Sequence, residues 1–321
     1  MQEFYRRGTN IIQSFLKDDC TMIDLSRLST EGQNPRSRNI DELPTLDMRR
    51  VINEEDKTIA LAVERILPDI ARAVDLIASR VSEGGHLFYI GAGTSGRLGI
   101  LDAVECPPTY GTPPELVQGL IAGGTPAIFR AQEGAEDDPL LAEKDLKEHG
   151  FGEEDVLVGI AASGRTPYVI GGLKYARSIG AATISLACTP NPVLAEFADI
   201  SLTPVTGAEV VTGSTRMKAG TAQKMVLNML STGTMIKLGK VYGNLMVDVK
   251  SSNKKLEERA RRIVMEAAGC TREESITALK KAGGSAKLAI LLQCTGLDAE
   301  AGKRLLEETK GRLAPALRKK I

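Results

Sequence analysis

The chain has 321 residues, of which 42% are hydrophobic, and its 41 Lys and Arg residues balance its 41 Asp and Glu residues. The length suits one large α/β unit or two domains. Because the formal net charge is +0, no overall positive field attracts nucleic acid or an anionic membrane surface, and we expect neither as a partner. The five cysteines are scattered, and the two histidines lie beside neither a metal-ligand cluster nor a nucleophile motif, which argues against a metal site and a Ser-His-Asp triad.

The amino terminus is too charged for a signal peptide, and no apolar run approaches the length of a membrane span. Unpaired cysteines suit a reducing compartment, so we expect a cytoplasmic protein. Residues 1–47 predict a short helix followed by an irregular polar stretch. Helices are then predicted from about Met48 and again from Pro68, where Ile70, Val74 and Ile77 form one apolar stripe.

From Gly84 onward, short apolar runs alternate with helical stretches. Nearly continuous apolar runs are typical of parallel strands that are covered on both faces. We therefore predict a doubly wound α/β domain over residues 48–240, with a mostly parallel five-stranded sheet and a closing helix from about Thr215 to Leu238. The predicted strands are HLFYIGAG, LVQGLIAGG, DVLVGIAAS, AATISLAC and ADISLTPV, and the helices between them are LGILDAVEC, PAIFRAQEG, PLLAEKDLKEHG and PYVIGGLKYARSIG.

Residues 241–321 predict a small helical domain. Its helices are NKKLEERARRIVMEAAG, TREESITALKKAGG, SAKLAILLQCTG and LDAEAGKRLLEETK, and glycines at the ends of these stretches act as helix stops.

The first predicted strand ends in Gly91-Ala-Gly-Thr-Ser-Gly96, which satisfies the GxGxxG pattern of dinucleotide-binding proteins. That pattern also requires an acidic residue about 20 positions further on, near the end of the second strand. Here the second strand ends in Ala122-Gly-Gly124, and Glu115 precedes it. The missing acid argues against a nicotinamide enzyme.

The same turn carries the hydroxyls of Thr94 and Ser95, and the turn after the third strand carries those of Ser163 and Thr166. Backbone N–H groups at a strand-to-helix turn favour an anion, and a nearby hydroxyl donates one more hydrogen bond. Either turn alone is more often an ordinary helix cap. Two such turns at the carboxyl ends of strands in one sheet favour a phosphate site.

Longer strings, some of them around these turns, carry a more specific signal. They are Ile90–Gly111, Glu133–Asp137, Gly159–Tyr168, Gly207–Lys224 and Gly243–Asp248. With these strings the chain resembles the sugar isomerase (SIS) domain, and more narrowly the N-acetylmuramic acid 6-phosphate etherases, from about Leu28 to near the carboxyl terminus. Glucokinase regulatory protein shares the domain type but is longer and carries two such domains.

The resemblance implies a reaction in cell-wall amino sugar recycling, the conversion of N-acetylmuramic acid 6-phosphate and water into N-acetylglucosamine 6-phosphate and D-lactate. It assigns the catalytic pair to Glu105 and Glu136. The prediction is that Glu105 protonates the departing ether oxygen and Glu136 removes the C2 proton. Glu105 is expected to terminate its helix just before Pro107 and Pro108. Without the resemblance, both residues would be interpreted as solvated surface glutamates.

The resemblance also implies the binding residues and the assembly. Ser95, Ser163 and Thr166 are expected to contact the phosphate, with Thr94 nearby, and Glu209 and Ser214 are expected near the sugar. Lys218 and Arg165 suit either an anionic part of the substrate or a structural ion pair. No metal or redox cofactor is expected, and a homodimer is expected. The alternatives are a non-catalytic sugar-phosphate sensor of the SIS class and a sugar-phosphate isomerase.

Overall fold

The computed structural model describes residues 30–248 and 254–319, so the predicted short amino-terminal helix lies outside the described residues. The described chain begins with two short 3₁₀ turns, Pro35–Ser37 and Ile40–Glu42. Helix α1 (Thr45–Glu64) and helix α2 (Leu67–Ser82) follow, as predicted.

The central sheet is five-stranded and wholly parallel, with strand order β2-β1-β3-β4-β5. The predicted doubly wound α/β fold is therefore confirmed. Strands β1 and β3 are neighbours, and their last residues, Gly91 and Ile160, lie opposite each other. The strands are β1 (Leu87–Gly91), β2 (Val117–Ile121), β3 (Val156–Ile160), β4 (Ala182–Leu186) and β5 (Ile200–Leu202).

Helices follow the strands at the predicted places, with different ends. They are α3 (Gly93–Tyr110), α4 (Gly124–Phe129), α5 (Leu141–Glu148), α6 (Pro167–Ser178) and α7 (Lys218–Lys237). The prediction that Glu105 terminates its helix is wrong, because α3 continues through Pro107 and Pro108. Proline has a helical φ, and α3 ends only at Gly111, whose φ is 65°. Helix α4 ends before the predicted Gly134, and residues 130–140 form a connection that contains the 3₁₀ turn Ala135–Asp137.

Alternate residues of each strand pack on opposite faces of the sheet. Leu87 and Tyr89 of β1 belong to the apolar cluster under α1, α2, α3 and α7, whereas Phe88 and Ile90 belong to the cluster under α5 and α6. Successive side chains in a strand point in opposite directions, so the nearly continuous apolar runs bury both faces.

A buried polar network fixes α3 against the sheet and α7. Asp102 accepts hydrogen bonds from Tyr89 Oη (2.9 Å), Asn228 Nδ2 (2.9 Å) and Ser231 Oγ (3.0 Å). Burial is the largest influence on the Asp102 carboxyl and raises its pKa despite these donors. Because the network joins β1, α3 and α7, it holds in place the helix that carries Thr94 and Ser95.

The chain after α7 forms a short hairpin and then helices. The hairpin, β6 (Val241–Tyr242) with β7 (Leu245–Met246), and the last helix were not predicted, since each is too short to show a clear periodicity. The helices pack around their own apolar cluster, which includes Val247, Val264 and Leu291. The boundaries at residues 48 and 241 stay predictions. The helices are α8 (Lys254–Ala268), α9 (Arg272–Lys281), α10 (Ala286–Thr295), α11 (Ala299–Glu308) and α12 (Leu313–Arg318).

Candidate functional site

A cavity of about 370 Å³ opens where β1 and β3 end. The four predicted phosphate-binding residues, Thr94, Ser95, Ser163 and Thr166, all line it. Parallel neighbouring strands place their carboxyl ends at the same edge of the sheet, and ligands of doubly wound folds bind in such a crevice. The two turns identified in the sequence therefore face one cavity.

Two glycines allow the first turn to lie close to its strand. A Cβ on Gly96 would lie 2.6 Å from the Gly91 carbonyl oxygen, and a Cβ on Gly91 would lie 2.7 Å from the Gly96 nitrogen. No side chain fits at either position. These glycines of the GxGxxG pattern thus serve the close packing of α3 against β1, which brings the first turn of α3 to the cavity.

The second turn is built differently. Gly164 has a φ of +69°, a conformation that favours glycine, and a Cβ there would lie 2.3 Å from Pro192 Cβ. Thr166 precedes the first residue of α6, and Pro167 occupies the first turn of that helix. The hydroxyls of Ser163 and Thr166 are thereby held on either side of a tight bend at the cavity wall.

Below the first turn, Ser95 Oγ donates a hydrogen bond of 2.9 Å to Gln223 Oε1 on α7. Both side chains are buried, with exposed fractions of 8% and 1%. Gln223 Nε2 is buried without a hydrogen-bond partner among the described residues. The direction of the Ser95 hydroxyl therefore depends on the orientation of the Gln223 amide.

Carboxylates also line the cavity. Glu136 lies in the 3₁₀ turn Ala135–Asp137, is exposed, and forms no hydrogen bond or ion pair within the described part of the chain. Glu31, from the segment before α1, reaches the cavity and lies close to Gly213. Asp137 and Thr215 line it too. Glu31 and Thr215 were missed by the sequence analysis; Thr215 lies within the string Gly207–Lys224, but nothing in the pattern around Glu31 places it beside strand ends.

Glu105 is not at this cavity. It lies on α3, where ten residues separate it from Ser95, or about 15 Å along the helix axis at about 1.5 Å per residue. Its side chain is exposed and lies on the same face as the exposed Leu101, Val104 and Pro108. Within one chain, the two glutamates of the predicted pair are therefore apart.

Glu209 and Ser214 do not line the cavity either. Glu209 is fully buried, and its two carboxylate oxygens accept hydrogen bonds of 2.9 Å from the backbone N–H groups of Lys218 and Ala219. It therefore caps the start of α7. Lys218 Nζ lies 2.7 Å from Glu55 Oε2 in a buried ion pair, whereas Arg165 does line the cavity.

A second cavity, of about 220 Å³, adjoins the first, and Ala92, Gly93 and Glu136 border both. Arg97 and Gln132 are among its other lining residues. In residues 30–248 and 254–319, no three His, Cys, Asp or Glu side chains are grouped as ligands for a metal ion. No helix in these ranges has the length and apolar character needed to cross a membrane.

Family models and a solved structure are similar to parts of this chain. Residues 69–177 match the family model described as the glucokinase regulatory protein N-terminal SIS domain, and residues 149–233 match that of the SIS domain. Among solved structures, phosphoheptose isomerase from Neisseria gonorrhoeae is similar at 17% identity with a TM-score of 0.45, over 59% of this chain and 98% of that chain.

Curated relatives are much more similar. The N-acetylmuramic acid 6-phosphate etherase of Photobacterium profundum is 59% identical over 295 residues, covering 92% of this chain and 98% of that protein. The enzyme of the same name from Clostridium botulinum (strain Okra / Type B1) is 57% identical over 298 residues, covering 93% of this chain and 99% of that protein. At this identity over nearly the whole length, the chain belongs to the N-acetylmuramic acid 6-phosphate etherase family.

Proposed function

We propose that this chain is a lyase that cleaves the D-lactyl ether of N-acetylmuramic acid 6-phosphate by elimination and hydration, giving N-acetylglucosamine 6-phosphate and D-lactate. The observation that carries the proposal is the near-full-length similarity to etherases, in a chain whose cavity joins two hydroxyl-bearing turns to the Glu136 carboxylate. The proposed setting is recycling of cell-wall amino sugars in the cytoplasm.

The phosphate is bound in the first cavity by the hydroxyls of Ser95, Ser163 and Thr166, with Thr94 beside them. Hydroxyls and the N–H groups at the start of α3 suit a phosphate without a cluster of lysines. Arg165, which also lines the cavity, adds a positive charge at this end. This mode of binding is compatible with a chain whose formal net charge is +0.

The chemistry is proton transfer and elimination. In the open-chain sugar, the C2 proton is α to the C1 aldehyde, so a base can remove it. The C3–O bond to the lactyl group then breaks as an acid protonates the ether oxygen, and water adds to C3 of the unsaturated aldehyde. Glu136 is the proposed base, because its carboxylate lines the cavity and has no competing partner in the described chain.

Glu105 is the proposed acid, and it reaches the reacting atoms as the partner subunit's Glu105 in a homodimer. The cavity of the same subunit is about 15 Å away along α3, which is farther than a glutamate side chain can reach. Leu101 and Val104 beside it are 47% and 58% exposed, and a dimer that packs on this side of α3 would cover them. A second copy packed on this face brings Glu105 to the other copy's cavity and completes the pair.

Purified protein should release D-lactate from N-acetylmuramic acid 6-phosphate. Exchange of the C2 proton in heavy water, measured by NMR, distinguishes the base from the acid. Glu105→Gln should release little lactate but still exchange the proton, whereas Glu136→Gln should lose both activities. The expected losses are about 10²–10⁴-fold, the usual range for positioned acid–base groups.

The outcomes distinguish an etherase from a non-catalytic sensor and the roles of the two glutamates from each other. Binding of the sugar phosphate without lactate release by the wild type would favour the non-catalytic sensor and overturn the proposal. Exchange retained in Glu136→Gln and lost in Glu105→Gln would reverse the two roles. Near-wild-type activity in both variants would show that the pair is wrong.

A further inference from the structure

The second cavity has no role in the function proposed above. It borders the first at Ala92, Gly93 and Glu136, so a ligand can occupy both cavities at once with Glu136 between its two ends. Arg97 lies on its wall, in the second turn of α3, opposite the side of that helix that carries Ser95.

Arg97 is held in place by the end of a neighbouring helix. Its Nε donates a hydrogen bond of 2.8 Å to the Ile128 carbonyl oxygen, and its Nη2 donates one of 2.7 Å to the Ala127 carbonyl oxygen. These carbonyls belong to the last turn of α4. The two bonds use only part of the guanidinium, which has five N–H donors in a fixed plane. The remaining donors are available to a ligand in the cavity.

Among the described residues, no acidic side chain neutralises the charge of this guanidinium. Arg97 is half-buried and forms no ion pair with any Asp or Glu of the part of the chain that the structure describes. Carbonyl oxygens orient a guanidinium but do not cancel its charge. A half-buried, oriented arginine facing a cavity is suited to bind a carboxylate through two parallel hydrogen bonds.

We propose that the second cavity is the subsite for the lactyl group and that Arg97 binds its carboxylate. This inference rests on the proposed function. The substrate carries two anionic groups, the phosphate on C6 and the carboxylate of the group on C3. The two adjoining cavities accommodate them separately, and C2 and C3 then lie near Glu136, the proposed base. Gln132 lines the same cavity, and its amide is a second candidate donor.

Arg97 would thereby distinguish the substrate from the sugar product, which lacks the lactyl group. The test compares Arg97→Met and Arg97→Lys with the wild type in two measurements. One is the KM for N-acetylmuramic acid 6-phosphate, and the other is the inhibition constant of N-acetylglucosamine 6-phosphate in the same assay. Arg130→Met is the matched control. Arg130 directly follows α4, the helix whose carbonyls hold Arg97, but it is exposed and lines neither cavity.

We expect Arg97→Met to raise the KM about 10- to 100-fold, the usual effect of losing hydrogen bonds to a charged group, while the inhibition constant stays unchanged. Arg97→Lys keeps the charge but not the planar fork, so its KM should lie between those of the wild type and Arg97→Met. Arg130→Met should resemble the wild type. The unchanged inhibition constant also shows that the phosphate site remains folded.

An equal rise in both constants would show that Arg97 only supports α4, and no rise in either would show that it has no role; both results overturn the inference. A wild-type protein that releases no D-lactate is a different failure, because it contradicts the proposed function itself. Direct calorimetric binding of the two sugar phosphates then decides whether Arg97 recognises the carboxylate.

Discussion

The hydroxyl of Ser95 has one hydrogen and two candidate acceptors. In the described structure it donates to Gln223 Oε1 at 2.9 Å, which leaves Gln223 Nε2 buried without a partner among the described residues. If the amide turns over when phosphate binds, Nε2 donates to Ser95 Oγ and the hydroxyl hydrogen is free for a phosphate oxygen. Gln223 would then be a positioning residue for the phosphate site.

Two substitutions test this at the residue scale. Ser95→Ala should raise the KM by about 10- to 100-fold, the range for a lost hydrogen bond to a charged group, and lower kcat less because the phosphate is remote from C2 and C3. Gln223→Glu should raise the KM at least as much, because a carboxylate only accepts and adds a negative charge beneath the phosphate. Steady-state kinetics measure both effects.

The control for these variants is Thr221→Ala, because Thr221 is an exposed residue of α7 whose hydroxyl donates a hydrogen bond to the Met217 carbonyl oxygen just before that helix. It should keep the wild-type KM. Phosphate affinity that is unaffected in Gln223→Glu would show that the amide does not direct the Ser95 hydroxyl.

At the scale of elements, the start of α7 is held by buried charges rather than by substrate. Glu209 caps its first backbone N–H groups, and Lys218 pairs with Glu55 of α1, which also accepts a hydrogen bond of 2.8 Å from Asn34 Nδ2. Burial alone raises the pKa of Glu55, but the hydrogen bonds from Lys218 and Asn34 and the nearby positive charges outweigh it and lower that pKa. Residues from three parts of the chain thus meet at the start of α7.

Glu55→Gln should therefore destabilise the fold at neutral pH by about 3–5 kcal/mol, because it leaves Lys218 buried without its charged partner. A lowered pKa means that the contribution of Glu55 is present above its ordinary pKa of 4.5 and is lost as the pH falls through the folded-state value. The difference in unfolding free energy between Glu55→Gln and the wild type should shrink on acidification. Denaturant unfolding at neutral pH and at acidic pH measures it.

Glu54→Gln is the matched control, since Glu54 pairs with Lys57 on the exposed face of the same helix and should change the unfolding free energy by less than about 1 kcal/mol. If Glu55→Gln lowered the unfolding free energy by the same amount at neutral and at acidic pH, the interpretation of the Glu55–Lys218 pair would be contradicted.

At the scale of the whole molecule, the separation of Glu105 from the cavity makes the dimer a requirement of the proposed mechanism. Glu105→Gln and Glu136→Gln should each be inactive as pure proteins. A mixed dimer of the two contains one cavity with its own Glu136 and the partner's Glu105. Equal mixing and random reassembly should therefore restore about a quarter of wild-type lactate release, because half of the dimers are mixed and each has one complete site.

Light scattering should give a dimeric mass for the wild type under the same conditions. No restored activity on mixing, with exchange of subunits verified by mass, would show that Glu105 does not act across the interface. Activity in a monomeric wild type would lead to the same conclusion and would also contradict the predicted homodimer.

Local patterns along the chain were enough to predict the strands, the order of the helices and the residues of the two turns. Five short apolar runs form a parallel sheet because their residues bury both faces, and that pattern is local. Ser95 and Ser163 converge because each follows a parallel strand, and the strands that precede them are neighbours in the sheet. The long strings shared with the etherases were equally visible without a structure, and the family they indicated is confirmed.

The use of the remaining residues follows from how the folded chain packs. Lys218 and Glu209 have the chemistry of substrate ligands, but α1 and the start of α7 bury them as structural groups. Glu31 enters the cavity from a segment with no regular pattern, and Arg97 lies beside a second cavity because α4 ends against it. Glu105 carries the family motif but lies along α3 from the cavity. Such placements depend on contacts between residues far apart in the chain, and local periodicity carries no information about them.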